Sequence, residues 1–233
     1  AVKASAGLPR FEALLGLIYA GCYLKNMEKV IEPATVALAN ECHYLINGEE
    51  IVSSRNSQEI LNIFTILIWA KLALKDSNWN PSVTHLETIE KLAPILRNLR
   101  HSDAGLPRFH GSCGDVDGQL DKALSNAESR EISSHETSVG FVKLSNSRTS
   151  VIIDAAPPPM GKNALKADAS TLAFEMVSGQ RRIFTSCGPG YLFGPDLSSE
   201  GRQTNSHCTV YVDNQNSSEF RDIEGWLQPP KKV

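Results

Sequence analysis

Lys166 and Asp168 stand one residue apart in "NALKADASTLAFEM", just ahead of a Thr-Leu-Ala-Phe run with strand character. They alternate with Ala167 and Ala169, so on an extended chain both would share one face. Such a pair either lines a cleft, the ammonium holding an anion and the carboxylate a cation, or forms an exposed ion pair of little energetic weight. In "GRQTNSHCTVYVD", His207 opens an expected strand behind a glycine- and proline-rich loop that carries Arg202. An imidazole there can take a proton or bind a metal, and a guanidinium can hold a carboxylate bidentately. The competing reading is a histidine satisfied by backbone at a strand edge.

Two further places gather polar side chains. "SSRNSQEI" sets Arg55 and Asn56 ahead of an apolar run, where Asn56 suits an N-cap or the orientation of a substrate carboxylate. "RHSDAGLPRFHGS" brings Arg100, His101, Arg108 and His110 to the point where helical patterning ends. Cationic groups at such a junction suit an acidic ligand, and equally a solvated boundary. The chain has no Walker loop, HExxH, GxSxG or strand-preceded GxGxxG.

Composition narrows the class. With 233 residues, 41% hydrophobic and 21% charged, the chain is neither disordered nor collagen-like. A net charge of -3 gives no global attraction to nucleic acid or anionic lipid, so no nucleic-acid partner is expected and a polyanion would need a local basic cluster. Cys22, Cys42, Cys113, Cys187 and Cys208 lack CxxC spacing and read as buried thiols. The opening Ala-Val-Lys carries no charged-then-apolar signal segment, and a processed product or a fragment is expected.

The elements that must position these side chains fall into two blocks. From Phe11 to about Arg100, apolar residues recur at helical spacing and predict at least four helices. "ILNIFTILIWAKLALK" (Ile60 to Lys75) is interrupted by Asn62, Thr65 and Lys71, and reads as a buried helix; no transmembrane segment is expected. Pro33 and Pro81 suit helix starts, while Pro94 should bend the last helix. Residues 110 to 134 read as a linker around a short "LDKAL" turn. Beyond Thr137, "VGFVKL", "TSVIIDA", "STLAFEMV", "RRIFTSC" and "CTVYVDN" predict five close-spaced strands, hence an antiparallel sheet. "AGLPRF" occurs at Ala6 and at Ala104, but Glu12-Ala13-Leu14 succeeds the first copy and His110-Gly111-Ser112 the second, so the match is coincidence.

In order, "LPRFHGS", "VIIDAAPPP", "ADASTLAFEMVSGQRR", "TSCGPG", "FGPD" and "GRQTNSHCTVYVD" resemble the C-terminal half of heparinase II/III family proteins, the bacterial branch related to polysaccharide lyases. "INGEEIVSSRNSQEIL" and "LAPILRNLRHSDAGLPRF" resemble the end of that family's helical domain. The resemblance implies an α+β chain: a helical, α/α toroid-like segment over 1–105, a linker over 106–134, and an antiparallel β-sandwich over 135–233. It implies further toroid helices before residue 1 and further strands after Val233. It also implies an acidic polysaccharide as partner and a periplasmic or envelope-associated place. The oligomeric state is not fixed by the sequence.

The chemistry so implied is β-elimination. A uronate's carboxylate is neutralised, a base removes the C5 proton, and an acid, typically Tyr, protonates the leaving O4. By this resemblance His207, Lys166 and Asn56 take catalytic places, and Arg55, Arg202, Arg108 and His110 bind substrate. The family's usual His-x-His pair reads Lys166 and Asp168, no Tyr follows Asn56 within its motif, and the aspartate expected at a metal site reads Ser186. One His and one Asp make a poor zinc site, so neither a metal nor another cofactor is expected.

Overall fold

A computed structural model describes residues 3–47, 54–114, 118–127, 139–223 and 226–228. The described residues form two compact units. The first draws on Ala1–Glu50, Glu59–Pro94 and Asp121–Ile132, the second on Ile51–Gln58, Ile95–Leu120 and Ser133–Val233.

In the first unit, α1 (Leu8–Tyr23) opens with a proline in its first turn, where a missing N–H costs nothing. Phe11, Leu14, Leu15, Ile18 and Gly21 form its buried stripe. It packs on α2 (Ile31–Asn47), which buries Ile31, Ala34, Leu38, Cys42 and Leu45. Helix α3 (Ser57–Asp76) is apolar nearly all round because it is enclosed. It exceeds the expected Ile60–Lys75 run, and its length and composition would suffice to cross a membrane, yet 72% of its apolar window is buried inside the fold. Its Thr65 satisfies its hydroxyl on Leu61 O, four residues back. Helix α4 (Val83–Leu99) runs through Pro94, and its His85 sits 2.9 Å from Leu67 O. The segment expected as a linker contains a nine-residue helix, α5 (Gln119–Ala127), whose Leu120, Ala123 and Ala127 are buried. Apolar residues at helical spacing in "LDKALSNA" make it a helix rather than a turn.

The second unit is built on a four-stranded antiparallel meander in the order β1 (Phe141–Asn146), β2 (Thr149–Asp154), β3 (Phe174–Ser178), β4 (Arg181–Phe184). A small sheet of β5 (Arg221–Ile223) and β6 (Trp226–Gln228) follows. The expected strand over 208–214 is not formed: Val212 and Gln215 make one isolated bridge, and Val210 and Val212 are exposed. The chain there docks by single bonds, Phe174 N donating to Cys208 O and Thr209 Oγ1 to Thr171 O.

Strand β2 buries Ser150, Ile152 and Asp154, and β3 buries Glu175 and Val177. The period of two therefore turns two carboxylates inward. Inward carboxylates demand partners, and the segment 101–114 supplies them.

Candidate active site

Each inward carboxylate of the sheet meets a buried histidine. His101 Nε2 lies 3.4 Å from Glu175 Oε2, and His110 Nε2 lies 3.2 Å from Asp154 Oδ2. The His110 tautomer follows from its other nitrogen: Nδ1 accepts the Asp168 N–H at 3.2 Å, so in the neutral ring the proton sits on Nε2, facing Asp154. Glu175 Oε1 in turn accepts the N–H groups of Ser186 at 2.9 Å and Arg108 at 3.2 Å.

Asp154 is a hub. Its oxygens take Ser170 Oγ at 2.6 Å and one terminal nitrogen of Arg55. Burial alone would raise its pKa; hydrogen bonding and charge from His110, then Arg55 and Ser170, outweigh that and hold it below the ordinary carboxylate value. Arg55 adopts a left-handed φ of 51°, which a non-glycine residue holds only when its surroundings demand it. Those surroundings are the carbonyls of Val139, Gly140, Ala156 and Pro157, at 2.9–3.2 Å, and the Phe141 ring 4.6 Å from its guanidinium carbon.

Beside this network opens a cleft of about 420 Å³, lined by Gly111, Lys166, Asp168, Tyr191, Ser198 and Arg202 among others. Its wall depends on a close approach of two glycines. A Cβ on Gly190 would stand 1.7 Å from Leu197 O, and one on Gly201 would stand 2.4 Å from Gly190 N. That contact folds "GPGYLFGPD" back on itself and sets Tyr191, whose hydroxyl lies 3.4 Å from Cys113 Sγ. Gly111, at φ +79°, lets the chain pass against Lys166, whose Cβ would be 3.2 Å from an added methyl.

Lys166 and Asp168 both reach this cleft, though not as an alternating strand. Residues Gly161–Lys166 form a 3₁₀ helix, and β3 starts only at Phe174. Lys166 is exposed on the last residue of that turn, while Asp168 is buried, its Oδ2 accepting the His110 N–H. Burial raises the Asp168 pKa against the opposing pull of His207, His110 and Arg202. Arg202 lines the same cleft with Nε on Ala167 O and a terminal nitrogen on Ala164 O, both at 2.7 Å.

The other expected site residues fall elsewhere. His207 does not line the cleft: its ring is fully buried, Nε2 lies 4.0 Å from Asp168 Oδ2, and neither ring nitrogen has a hydrogen-bond partner among the described residues. Asn56 donates to His110 O at 3.0 Å, beside Gly111. Arg55 and His110 serve the hub at Asp154. Arg108 presents its N–H to Glu175 and runs its side chain past Gly114 and Gly188. Tyr191 escapes sequence reasoning because its loop reads as turn punctuation; the glycines that hold it, Gly190 and Gly201, are far apart in the chain. Asp154, at the end of a strand, carries no sequence signal beyond an inward position.

Burial holds the His207 pKa below its ordinary value. The unfolded chain therefore binds the proton more readily, and His207 subtracts stability as pH falls through about 6.5. Asp154, depressed, acts in the same direction at lower pH, whereas Asp168, raised, acts oppositely above the usual carboxylate range. A Tm measured at fixed ionic strength should fall between about pH 7 and 5.5, and less steeply in His207→Gln; equal slopes would show that His207 carries none of the effect.

Residues 130–231 match the family model described as "Heparinase II/III-like, C-terminal". That stretch is similar to the C-terminal region of heparinase II/III-like proteins. A solved heparinase III is similar at TM-score 0.69 and 14% identity, over 90% of this chain and 40% of that one. A heparan sulfate lyase from Pedobacter heparinus is similar at TM-score 0.64 and 15% identity, over 94% and 40%. At such identities the likeness concerns the fold, here helices plus an antiparallel sheet. The "FtsZ-localized protein C" of Caulobacter vibrioides is 29% identical over 174 residues, 72% of this chain, which spans 30% of that protein. For a metal, the places that the sequence resemblance marks hold Asp168, His207 and Ser186. Asp168 Oδ2 is already engaged by the His110 N–H, and among the described residues no group of three or more His, Cys, Asp or Glu is placed to hold an ion. One carboxylate, one imidazole and a hydroxyl do not suit zinc.

Proposed function

We propose that this protein acts on an acidic, uronate-containing glycan by lyase-type β-elimination in the cleft at Lys166. The observation that carries this reading is the cleft itself, which brings two cationic side chains, a carboxylate of raised pKa and a phenol to one lining. The toroid, the sandwich and the continuation of both beyond this chain belong to the same proposal.

In this reading Lys166 and Arg202 neutralise the uronate carboxylate, which acidifies the C5 proton. Asp168 takes that proton, the C5–H electrons form the C4–C5 double bond, and the C4–O4 bond breaks. The Tyr191 phenol gives its proton to O4, and both groups return to their starting states through solvent. A carboxylate whose pKa has been pushed up is the stronger base, which favours Asp168 over the enclosed His207. Asn56, Arg55 and His110 then act as positioning residues through the Gly111 turn and the Asp154 hub. Arg108 serves the Glu175 side of the same network.

A second reading is a member of the family that binds such a glycan without cleaving it, as an envelope-associated protein. The burial of His207 and Asp168 favours it, and so does the relative named for localising with FtsZ. A panel of uronate polymers, followed at the unsaturated-uronate absorbance band, separates the two. Product formed by the parent and reduced in Lys166→Ala supports elimination. Salt-sensitive binding without product supports the second reading, and no binding at low salt overturns both.

A further inference from the structure

Away from the cleft, and sharing none of its lining, a smaller cavity of about 220 Å³ lies within the second unit, where residues 97–102 meet the β1–β2 hairpin. Its lining contains Arg97, Arg100, Lys143 and His101 together with Ser102, Ser145, Ser147, Thr149 and Ser150, and among the described residues no carboxylate side chain; behind it stands Glu175, 3.4 Å from His101. The register explains why these meet. Lys143 and Ser145 lie two apart on β1, on the same face, opposite Ile152 and Ser150 of β2. Ser150 and Ile152 are buried, so Lys143 occupies an inward position and is half-buried.

A lysine at an inward position must be held. Its Nζ donates to Arg100 O at 2.7 Å, which fixes the ammonium beside a second cation. Burial and the Arg100 charge both push the Lys143 pKa down, so the fold brings like charges together at a cost. The carbonyl at the helix end offsets part of this, since a helix C-terminus carries about half a negative charge. Ser150 Oγ is already engaged by the Ser102 N–H and by His101 Nδ1, each at 3.0 Å, which makes that wall rigid.

We propose that this cavity is a binding site for one tetrahedral oxyanion, a sulfate or phosphate group, held by Lys143, Arg97 and Arg100 with hydroxyl donors from the hairpin. The volume is below the roughly 300 Å³ at which sites for drug-sized ligands begin, and suits a compact anion with its water. Cations supply the charge and the exposed Ser145 and Ser147 hydroxyls the directional donors, the combination that oxyanions select. The site is independent of the cleft chemistry, and its failure would leave that reading untouched.

The test is thermal unfolding of the protein in rising inorganic phosphate and, separately, inorganic sulfate, with ionic strength held constant by potassium chloride. Saturable stabilisation is expected, about 5–10 °C at a hundredfold excess over Kd. It should vanish in Lys143→Gln and persist in Lys166→Ala. Because Lys143→Gln could weaken the hairpin itself, Ser145→Glu, at an exposed position of the same lining, gives a second arm: it should raise Tm without anion and abolish the response to it. A response to both anions supports a general oxyanion site, and a response to one assigns the source. No saturable shift, a shift surviving both pocket variants, or a shift lost in Lys166→Ala overturns the proposal.

Discussion

Replacing Arg55 with alanine is expected to cost about 3–5 kcal/mol of stability, because it takes the guanidinium from a buried carboxylate and leaves it only His110 and Ser170. Asp154 is 1% exposed and Arg55 3%, so water does not replace the lost partner. The carbonyls of Val139, Ala156 and Pro157 lose the Arg55 donor in the same step, while Gly140 O keeps the Ala155 N–H. For a chain of this size the Tm should fall by roughly 6–20 °C. Adding Asp154→Asn should return part of the loss, since a neutral amide is cheaper to leave buried than a carboxylate. An unchanged Tm with weakened glycan binding would instead make Arg55 a substrate contact, the role its sequence position suggests.

The second large effect concerns Asp168. Asp168→Asn keeps an acceptor for the His110 N–H and is nearly isosteric, so the fold should persist. As the base of the proposed elimination it should nonetheless lower kcat by about 10²–10⁴-fold with little change in KM. The acid limb of the parent's kcat/KM profile should lie above the ordinary carboxylate range, following the raised pKa of this group. His207→Ala should move that limb without removing activity, because His207 bears on Asp168 through space. Loss of activity in His207→Ala with none in Asp168→Asn would reverse the two assignments.

Much of the fold is legible in the sequence where a single period governs burial. Leu14, Ile18 and Gly21, at helical spacing, mark the buried face of α1, and Ser150, Ile152 and Asp154 show β2 alternating. The run "CTVYVDN" has the same alternation and fails, because Val210, Tyr211 and Val212 are left exposed and the backbone there bonds to neighbours one group at a time. Alternation reports what a strand could bury and does not supply the strand beside it.

The candidate site is legible in part. The cleft does gather Lys166, Asp168 and Arg202, but an extended segment is not what brings the first two there. A 3₁₀ turn presents Lys166 outward and sends Asp168 in. The family resemblance gives Arg55 a substrate-binding place, and nothing local in the sequence points to its actual partners. Its partners lie 84 to 102 residues later, at a distance that no motif encodes.

That separation bears on how the second unit can be made. The stretch matching the family model begins at residue 130, yet Arg55, His101 and His110, which lie against the inward carboxylates of its sheet, all precede it. A polypeptide started at residue 130 would expose Asp154 and Glu175 to solvent or leave them buried without those partners, and it should collapse without native order. During synthesis the Arg55 segment must wait for about a hundred further residues before its bonds can close, a loop whose entropy is lost before any contact rewards it. The unit should therefore fold late and in one step, its earliest segment being among the last to lock.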